Sequence, residues 1–536
     1  VPIADTTDRT SIDDEQDLAS FGYRQELVRT IGSFTAFCTG FAFISILTGM
    51  FLLFGFVYGI GGPASVWAWV AAFGGQLLFA LIFAEICVRY PLQGSVYNWT
   101  KHIARSPAVS WMAGVSMILA LIVSSAAVAL AMQNILPFIW SGFWIYGNGS
   151  GVHDVAVNGI ILGSIMLLGT TVVSLLGPKV RSLVNNIGVT VELVGSVVLI
   201  VLFVFHAHRG PGVAFQTNGT GHGYGDGYLG ALLVCLLLGV IVMWGFDTAG
   251  SIGEETINPR RTSPRAIIRA LLASGVFGAL LLLTASMAVK STHDPKIASG
   301  GLAYIIQQTL GRTGGDIMLV CAAIAVFVCG LANQTGAVNM MFAMSRDNAL
   351  PGSERLARVA DRGTPVLPVV IVAVLAIAIL GANVGQPAVF LVVSGTTVIF
   401  ALFSYLLIAG SFLTRRLRGE WSRPAGGFFS LGKFGLPVTF AACAWACFTI
   451  VDIAWPRPVI YDPDSPFHWY LRWGGVLVPV ILLGLASLVY RARRDRLGIL
   501  ASHAAAPAAQ GARAHASAPS PLRPEDPVTV QAFEAG

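Results

Sequence analysis

Met243-Trp244-Gly245-Phe246-Asp247-Thr248-Ala249-Gly250-Ser251-Ile252-Gly253-Glu254-Glu255 closes an apolar run that begins near residue 227. In hydrocarbon every backbone group needs a partner. A stretch with glycines at 245, 250 and 253 and a carboxylate at 247 is therefore tolerated only where it is buried in protein or lines a cavity. A carboxylate deep in a span costs about 2.5 to 3.5 kcal/mol on insertion scales, and such groups mark functional sites by default. The other use open to Asp247 is as N-cap to the second half of a broken helix, which also requires the break. The segment reads as a spanning helix interrupted in mid-membrane.

Outward from this stretch the chain keeps the same character. Its 536 residues are 55% hydrophobic and only 11% charged, with a mean hydropathy of +0.72, against roughly 25% charged in soluble proteins. That excludes a soluble globular protein. Residues 33–84, 106–153 and 363–414 contain no Asp, Glu, Lys or Arg, and at about 20 residues per crossing each tract holds two spans. Gly and Pro clusters at 59–63, 147–151 and 381–387 divide them. Twelve apolar segments result, near 33–58, 64–88, 107–139, 155–176, 183–205, 227–253, 265–289, 315–343, 366–381, 387–413, 435–455 and 473–490. The fold class is an all-α polytopic membrane protein with twelve transmembrane helices.

The basic residues give the orientation. With the N-terminus in the cytoplasm, 27 of the 33 Lys and Arg fall in inside segments, as the positive-inside rule requires. The net charge of +6 is then a topology signal rather than a nucleic-acid footprint. The expected location is the cytoplasmic (plasma) membrane, multi-pass, with both termini inside. Residues 1–25 and 499–536 read as disordered tails. The acidic start, with Asp5, Asp8, Asp13 and Asp14, is unlike a cleaved signal peptide. All seven cysteines lie in apolar stretches without metal-type pairs, so no metal or cofactor site is expected. The nine histidines lie in loops, tails or span ends, where they assemble no catalytic group, so the chain does not read as an enzyme. Nor is there a repeated pore element or charge ring of a channel.

A second interruption lies in the first span, Phe41-Ala42-Phe43-Ile44-Ser45-Ile46-Leu47-Thr48-Gly49-Met50-Phe51. Small residues in membrane helices also serve close packing. The two interruptions, however, stand five spans apart, the relation of corresponding helices in two five-helix inverted repeats. Residues 26–413 would then be a ten-helix core, with repeat one about 33–205 and repeat two about 227–413, and 414–498 would add helices eleven and twelve.

Gly245-Phe246-Asp247, Glu254-Glu255-Thr256, Asn258-Pro259-Arg260-Arg261 and Pro264-Arg265-Ala266-Ile267 resemble the sixth span and following loop of the amino acid/polyamine/organocation (APC) permeases. Ser345-Arg346-Asp347-Asn348-Ala349-Leu350-Pro351 resembles the same superfamily. Ile44-Ser45-Ile46-Leu47-Thr48-Gly49, the Gly61-Gly62-Pro63 turn and Asn185-Asn186-Ile187-Gly188 are most similar to its amino acid/choline branch, which includes γ-aminobutyrate and choline permeases. The resemblance covers about residues 25–495. It implies a LeuT-type 5+5 inverted repeat plus two extra helices, and a substrate site between the broken first and sixth helices. Leu47-Thr48-Gly49 stands where most members carry Gly-Ser-Gly, which narrows the backbone cradle for an α-carboxylate.

The expected function is secondary active import of an amino acid or related amine by alternating access. Choline, polyamine or γ-aminobutyrate uptake or exchange is the alternative, and a non-transporting nutrient receptor is the alternative of another class. Substrate-binding residues would be Ser45, Thr48, Gly49, Gly245, Phe246 and Asp247. The N–H groups of Thr48 and Gly49 would face a carboxylate, and the carbonyls near Gly245 and Phe246 an ammonium under the Phe246 ring. Glu192 of span five falls, by the Asn185-Asn186 alignment, where several superfamily members place a lysine that substitutes for sodium. It would act as a proton switch, as counter-charge to a cationic substrate, or as a structural partner of the broken helix. A coupling proton is expected in preference to sodium. Asn333 and Thr335 would line the ion site or join helices. Glu254 and Glu255 would form an inner gate with Arg260, Arg261 or Arg265, or sit in a solvated loop.

Overall fold

The computed structural model describes residues 18–19, 21–23, 29–149, 151–221, 226–360, 363–382, 388–422, 427–461 and 468–502. Most of both expected tails and residues 383–387, part of an expected turn, lie outside them. The chain divides into two units, 1–26 with 501–536, and 27–500. Of the first, Leu18 and Ala19 are helical and the Phe21 N–H closes a turn on the Leu18 carbonyl. The second unit holds the spans.

Among the described residues the regular structure is helical and no strand is formed; an isolated β-bridge joins Ile31 to Thr256. Ten helices are long and apolar enough to cross a bilayer: Ser33–Gly61, Pro63–Arg89, Pro107–Ile139, His153–Leu175, Pro178–Phe205, Pro259–Ala288, Lys296–Arg346, Leu391–Leu417, Gly432–Ala454 and Gly474–Arg496. Tyr228–Val242 and Val366–Gly381 are shorter and apolar. Taken in chain order these are spans one to twelve, at the twelve expected places. Span six is short because its helix stops at the expected break.

Span one is central, with 89% of its most apolar window buried, whereas spans eleven and twelve bury 28% and 17% of theirs and lie at the periphery. Many large apolar side chains are left exposed, aliphatic ones such as Ile165, Val194 and Val480 and aromatic ones such as Phe205 and Phe440, as suits a surface whose solvent is lipid.

Two helical pieces escaped the hydropathy reading. Ser95–Ile103 forms a helix in the connection after span two; it is too short and polar to register. Span eight begins earlier than expected, at Lys296, with turns at Gly301 (φ 56°) and Gly311 (φ 70°). The residues before Gly301 press on the second half of span one: a methyl group on Gly55 would meet the Ala298 carbonyl at 2.5 Å and the Gly301 Cα at 3.1 Å.

Candidate functional site

Span one is two helices, Ser33–Ile44 and Ile46–Gly61, joined by the single non-helical residue Ser45 (φ 26°, ψ 95°). The break therefore falls ahead of Leu47-Thr48-Gly49, and Thr48 and Gly49 lie inside the second half-helix. Their N–H groups are engaged locally: Thr48 N donates to Ser45 Oγ at 3.4 Å and Gly49 N to the Ser45 carbonyl at 3.2 Å. The N–H that leaves the helix end is that of Leu47, and it donates to Glu192 Oε1 at 3.2 Å. Ser45 Oγ donates to the same oxygen at 2.8 Å, and its hydroxyl lies 2.6 Å from that of Thr48. Span five thus seats its own carboxylate on the start of the half-helix, where backbone N–H groups and the helix dipole favour an anion. Glu192, Ser45 and Thr48 are all buried. The expectation of free Thr48 and Gly49 N–H groups is corrected in this conformation: only one residue unwinds, because its hydroxyl and Glu192 together satisfy the exposed turn.

In span six the helix ends at Val242 and resumes at Thr248 for one turn, with Gly245 left-handed (φ 76°). Asp247 occupies the capping position but makes no side-chain cap. Its carboxylate turns away from the helix instead. Oδ1 accepts from the Tyr405 hydroxyl at 2.5 Å and Oδ2 from Ser95 Oγ at 2.7 Å. The Tyr405 oxygen also accepts the Gly245 N–H at 2.9 Å. Asp247 accordingly binds the break to span ten and to the Ser95–Ile103 helix. Tyr405 and Ser95 were not foreseen; a tyrosine in an apolar span and a serine in a loop carry no sequence signal by themselves.

The two breaks touch. A methyl on Gly245 would fall 1.9 Å from the Phe43 ring, one on Gly49 2.0 Å from Val242, and one on Gly40 3.1 Å from Ala249. The Phe43 and Trp244 rings meet edge-on at 4.8 Å. Phe246 points elsewhere, into a cluster with Phe83 (6.0 Å) and Tyr405 (5.8 Å). From span eight, Cys329 Sγ approaches the Phe43 carbonyl at 3.5 Å, and Asn333 Nδ2 donates to the Cys329 carbonyl at 2.9 Å. Thr335 donates to Leu331 of its own helix at 2.7 Å. Among the described residues neither the Asn333 nor the Thr335 side chain bonds to another helix. The void bounded by Gly94, Ser95, Gly245, Asp247 and Thr248 measures about 10 Å³, the size of one water molecule.

At the arginine-rich end of the bundle, the acidic pair after span six finds partners other than those expected. Glu254 and Arg346, 0% and 1% exposed, form a two-pronged ion pair, with Nη1 to Oε2 at 2.9 Å and Nη2 to Oε1 at 2.8 Å. Glu254 Oε1 also accepts the Gln93 N–H at 2.9 Å. Glu255 pairs with Arg181 at 3.6 Å. These replace Arg260, Arg261 and Arg265, which instead line a separate cavity with Phe428 and Phe429. The reason is topological: Arg346 ends span eight and Arg181 begins span five, so both approach the end of span six, whereas Arg260, Arg261 and Arg265 belong to the helix leaving it. Nearby, Asp347 accepts from Lys101 at 2.6 Å and Tyr97 at 2.8 Å. Buried Glu85 takes Arg416 at 2.5 Å. Beneath span six, the Thr30 and Ile31 N–H groups donate to the Glu255 carbonyl at 3.0 and 2.9 Å. No group of three or more His, Cys, Asp or Glu side chains is placed to hold a metal among the described residues.

Known proteins resemble this chain along most of its length. The profile of a family described as amino acid permease matches residues 31–487. Amino-acid permease BAT1 of Arabidopsis thaliana is 28% identical over 497 residues, covering 88% of this chain and 92% of its own. Thiamine transporter thi9 of Schizosaccharomyces pombe is 24% identical, over 88% of this chain and 85% of its own. The GABA-specific permease of Saccharomyces cerevisiae is 24% identical, over 83% and 79%.

Proposed function

The chain belongs to the amino acid permease family, and from that premise we propose that it imports an amino acid or related amine across the cytoplasmic membrane by proton-coupled alternating access. The N- and C-termini lie in the cytoplasm, and the core is a LeuT-type pair of inverted repeats. One observation supports the reading above all: the breaks of spans one and six are packed together, and each holds a buried carboxylate bonded, among the described residues, to neutral donors.

Glu192 provides the coupling. Ionised, it holds the anion position at the start of the half-helix and excludes a substrate carboxylate from it. Protonation removes that charge, and the Leu47 N–H and the Ser45 hydroxyl become available to a substrate carboxylate, with the hydroxyls of Ser45 and Thr48 beside it. The amine lies toward the Gly245 and Phe246 carbonyls and the Asp247 carboxylate. Substrate and proton thus enter together. A second reading has its own support in the same geometry: a cationic amine without a carboxylate binds against ionised Glu192, in keeping with the thiamine transporter among the relatives.

Uptake into proteoliposomes tests this. Glu192→Gln is expected to abolish accumulation driven by a pH gradient while preserving substrate exchange. Undiminished gradient-driven accumulation by the variant overturns the assignment. Competition by choline or other amines, with no competition by zwitterionic amino acids, favours the second reading.

A further inference from the structure

Arg260, Arg261 and Arg265 open span seven and line a cavity of about 450 Å³ with Ile268, Phe428 and Phe429. This is within the size range of small-molecule sites. Arg261 and Arg265 are exposed, and neither has a carboxylate within ion-pair distance among the described residues. The Arg261 guanidinium lies over the Phe428 ring at 5.7 Å. An aromatic face holds this charge in place and leaves its N–H groups unspent. The first turn of the helix contains no acidic residue, so the positive end of the helix dipole adds to the arginines instead of being neutralised. The exposed guanidiniums of Arg261 and Arg265 beside a cavity at that end favour an anion.

The surface running from the cavity identifies the kind of anion. Along one face of span seven the exposed positions are Arg261, Arg265, Arg269, Leu272, Val276 and Leu280, the last three 40%, 50% and 41% exposed. The face is basic as far as Arg269 and aliphatic afterwards. From Arg269 to Leu280 the rise is about 16 Å, close to the roughly 15 Å of one leaflet's hydrocarbon. A soluble anion has no use for the aliphatic stripe. A phospholipid uses both parts, with its phosphate among the guanidiniums and an acyl chain along Leu272, Val276 and Leu280.

We propose that the Arg260–Arg261–Arg265 cavity binds the phosphate headgroup of an anionic phospholipid in the leaflet at the arginine-rich end. The test uses the full-length protein in mixed phosphatidylglycerol and phosphatidylcholine nanodiscs, with co-purifying lipid counted by native mass spectrometry. Wild type is expected to retain phosphatidylglycerol preferentially. The R261Q/R265Q variant is expected to lose that preference by about tenfold or more, since each arginine near an anionic surface contributes about a factor of five. R355Q, another exposed arginine, is expected to leave it unchanged. A melting curve in lipid-free detergent establishes that the double variant folds, and R265Q alone serves if it does not. Equal retention by wild type and a folded variant overturns the proposal. So does displacement of the lipid by millimolar inorganic phosphate with equal stabilisation, which would make the site one for a soluble anion.

Discussion

Tyr405 shows how one hydroxyl organises a helix break. It donates to Asp247 Oδ1 and accepts from Gly245 N, so a buried carboxylate and a backbone N–H freed by the break are satisfied by the same atom. Its removal orphans both, and each unsatisfied buried group costs about 1–3 kcal/mol. Tyr405→Phe is therefore expected to lower the melting temperature in detergent and to depress uptake more strongly than Ser95→Ala, which leaves Asp247 one of its two donors. Equal effects of the two substitutions would show that the hydroxyl does not hold the Gly245 turn. Gly245 admits no replacement by the same reasoning, since it combines a positive φ with a methyl-excluding contact against Phe43.

The Ser95–Ile103 helix is the element that joins this break to the arginine-rich end. Ser95 at its start bonds Asp247, and Lys101 near its end bonds Asp347. Beside Lys101 the His102 ring stacks on Tyr90 at 5.1 Å. Burial, reinforced by the Lys101 charge, lowers its pKa from 6.5 to about 4, with Asp347 opposing. The folded state therefore keeps this imidazole neutral while the unfolded chain protonates it below about 6.5. Stability contributed here is complete above pH 6.5 and is lost as pH falls towards 4. Melting curves between pH 7 and pH 4 are expected to fall less steeply for His102→Gln than for wild type. Parallel curves would mean that other groups carry the acid sensitivity.

At the scale of the molecule, contacts at both ends of the bundle hold the two breaks in place. The residues before Gly301 cover the second half of span one. The Glu254–Arg346 and Glu255–Arg181 pairs tie span six to spans eight and five at the arginine-rich end. Breaking a fully buried ion pair on one side leaves an uncompensated charge and costs about 3–5 kcal/mol, whereas removing both charges costs far less. Glu254→Gln and Arg346→Met are each expected to destabilise the protein, and the double variant Glu254→Leu with Arg346→Met to recover much of the loss. If these pairs act as the closure at this end, the folded double variant is also expected to leak substrate in counterflow. Tight coupling in that variant would assign closure to the remaining contacts.

Spans were legible because hydrocarbon imposes its demand locally: about 20 apolar residues are needed wherever the chain lies, and breaks at Ser45 and Gly245–Asp247 declare themselves by residue type. The buried Glu192 and Asp247 were legible for the same reason, as charges in tracts that should have none. Their partners were not. Arg346 was part of a quoted motif, yet pairing with Glu254 rather than Arg260 or Arg265 depends on which span ends meet, and that is set by helices 92 residues apart. Glu192 lies 147 residues from Ser45 and Tyr405 158 from Asp247. The sequence by itself determined where the chain crosses the membrane and where it cannot remain helical, since solvation of each segment is a local cost. Only the tertiary structure decided which donor meets which carboxylate, because hydrogen bonds act over about 3 Å between helices that composition does not orient.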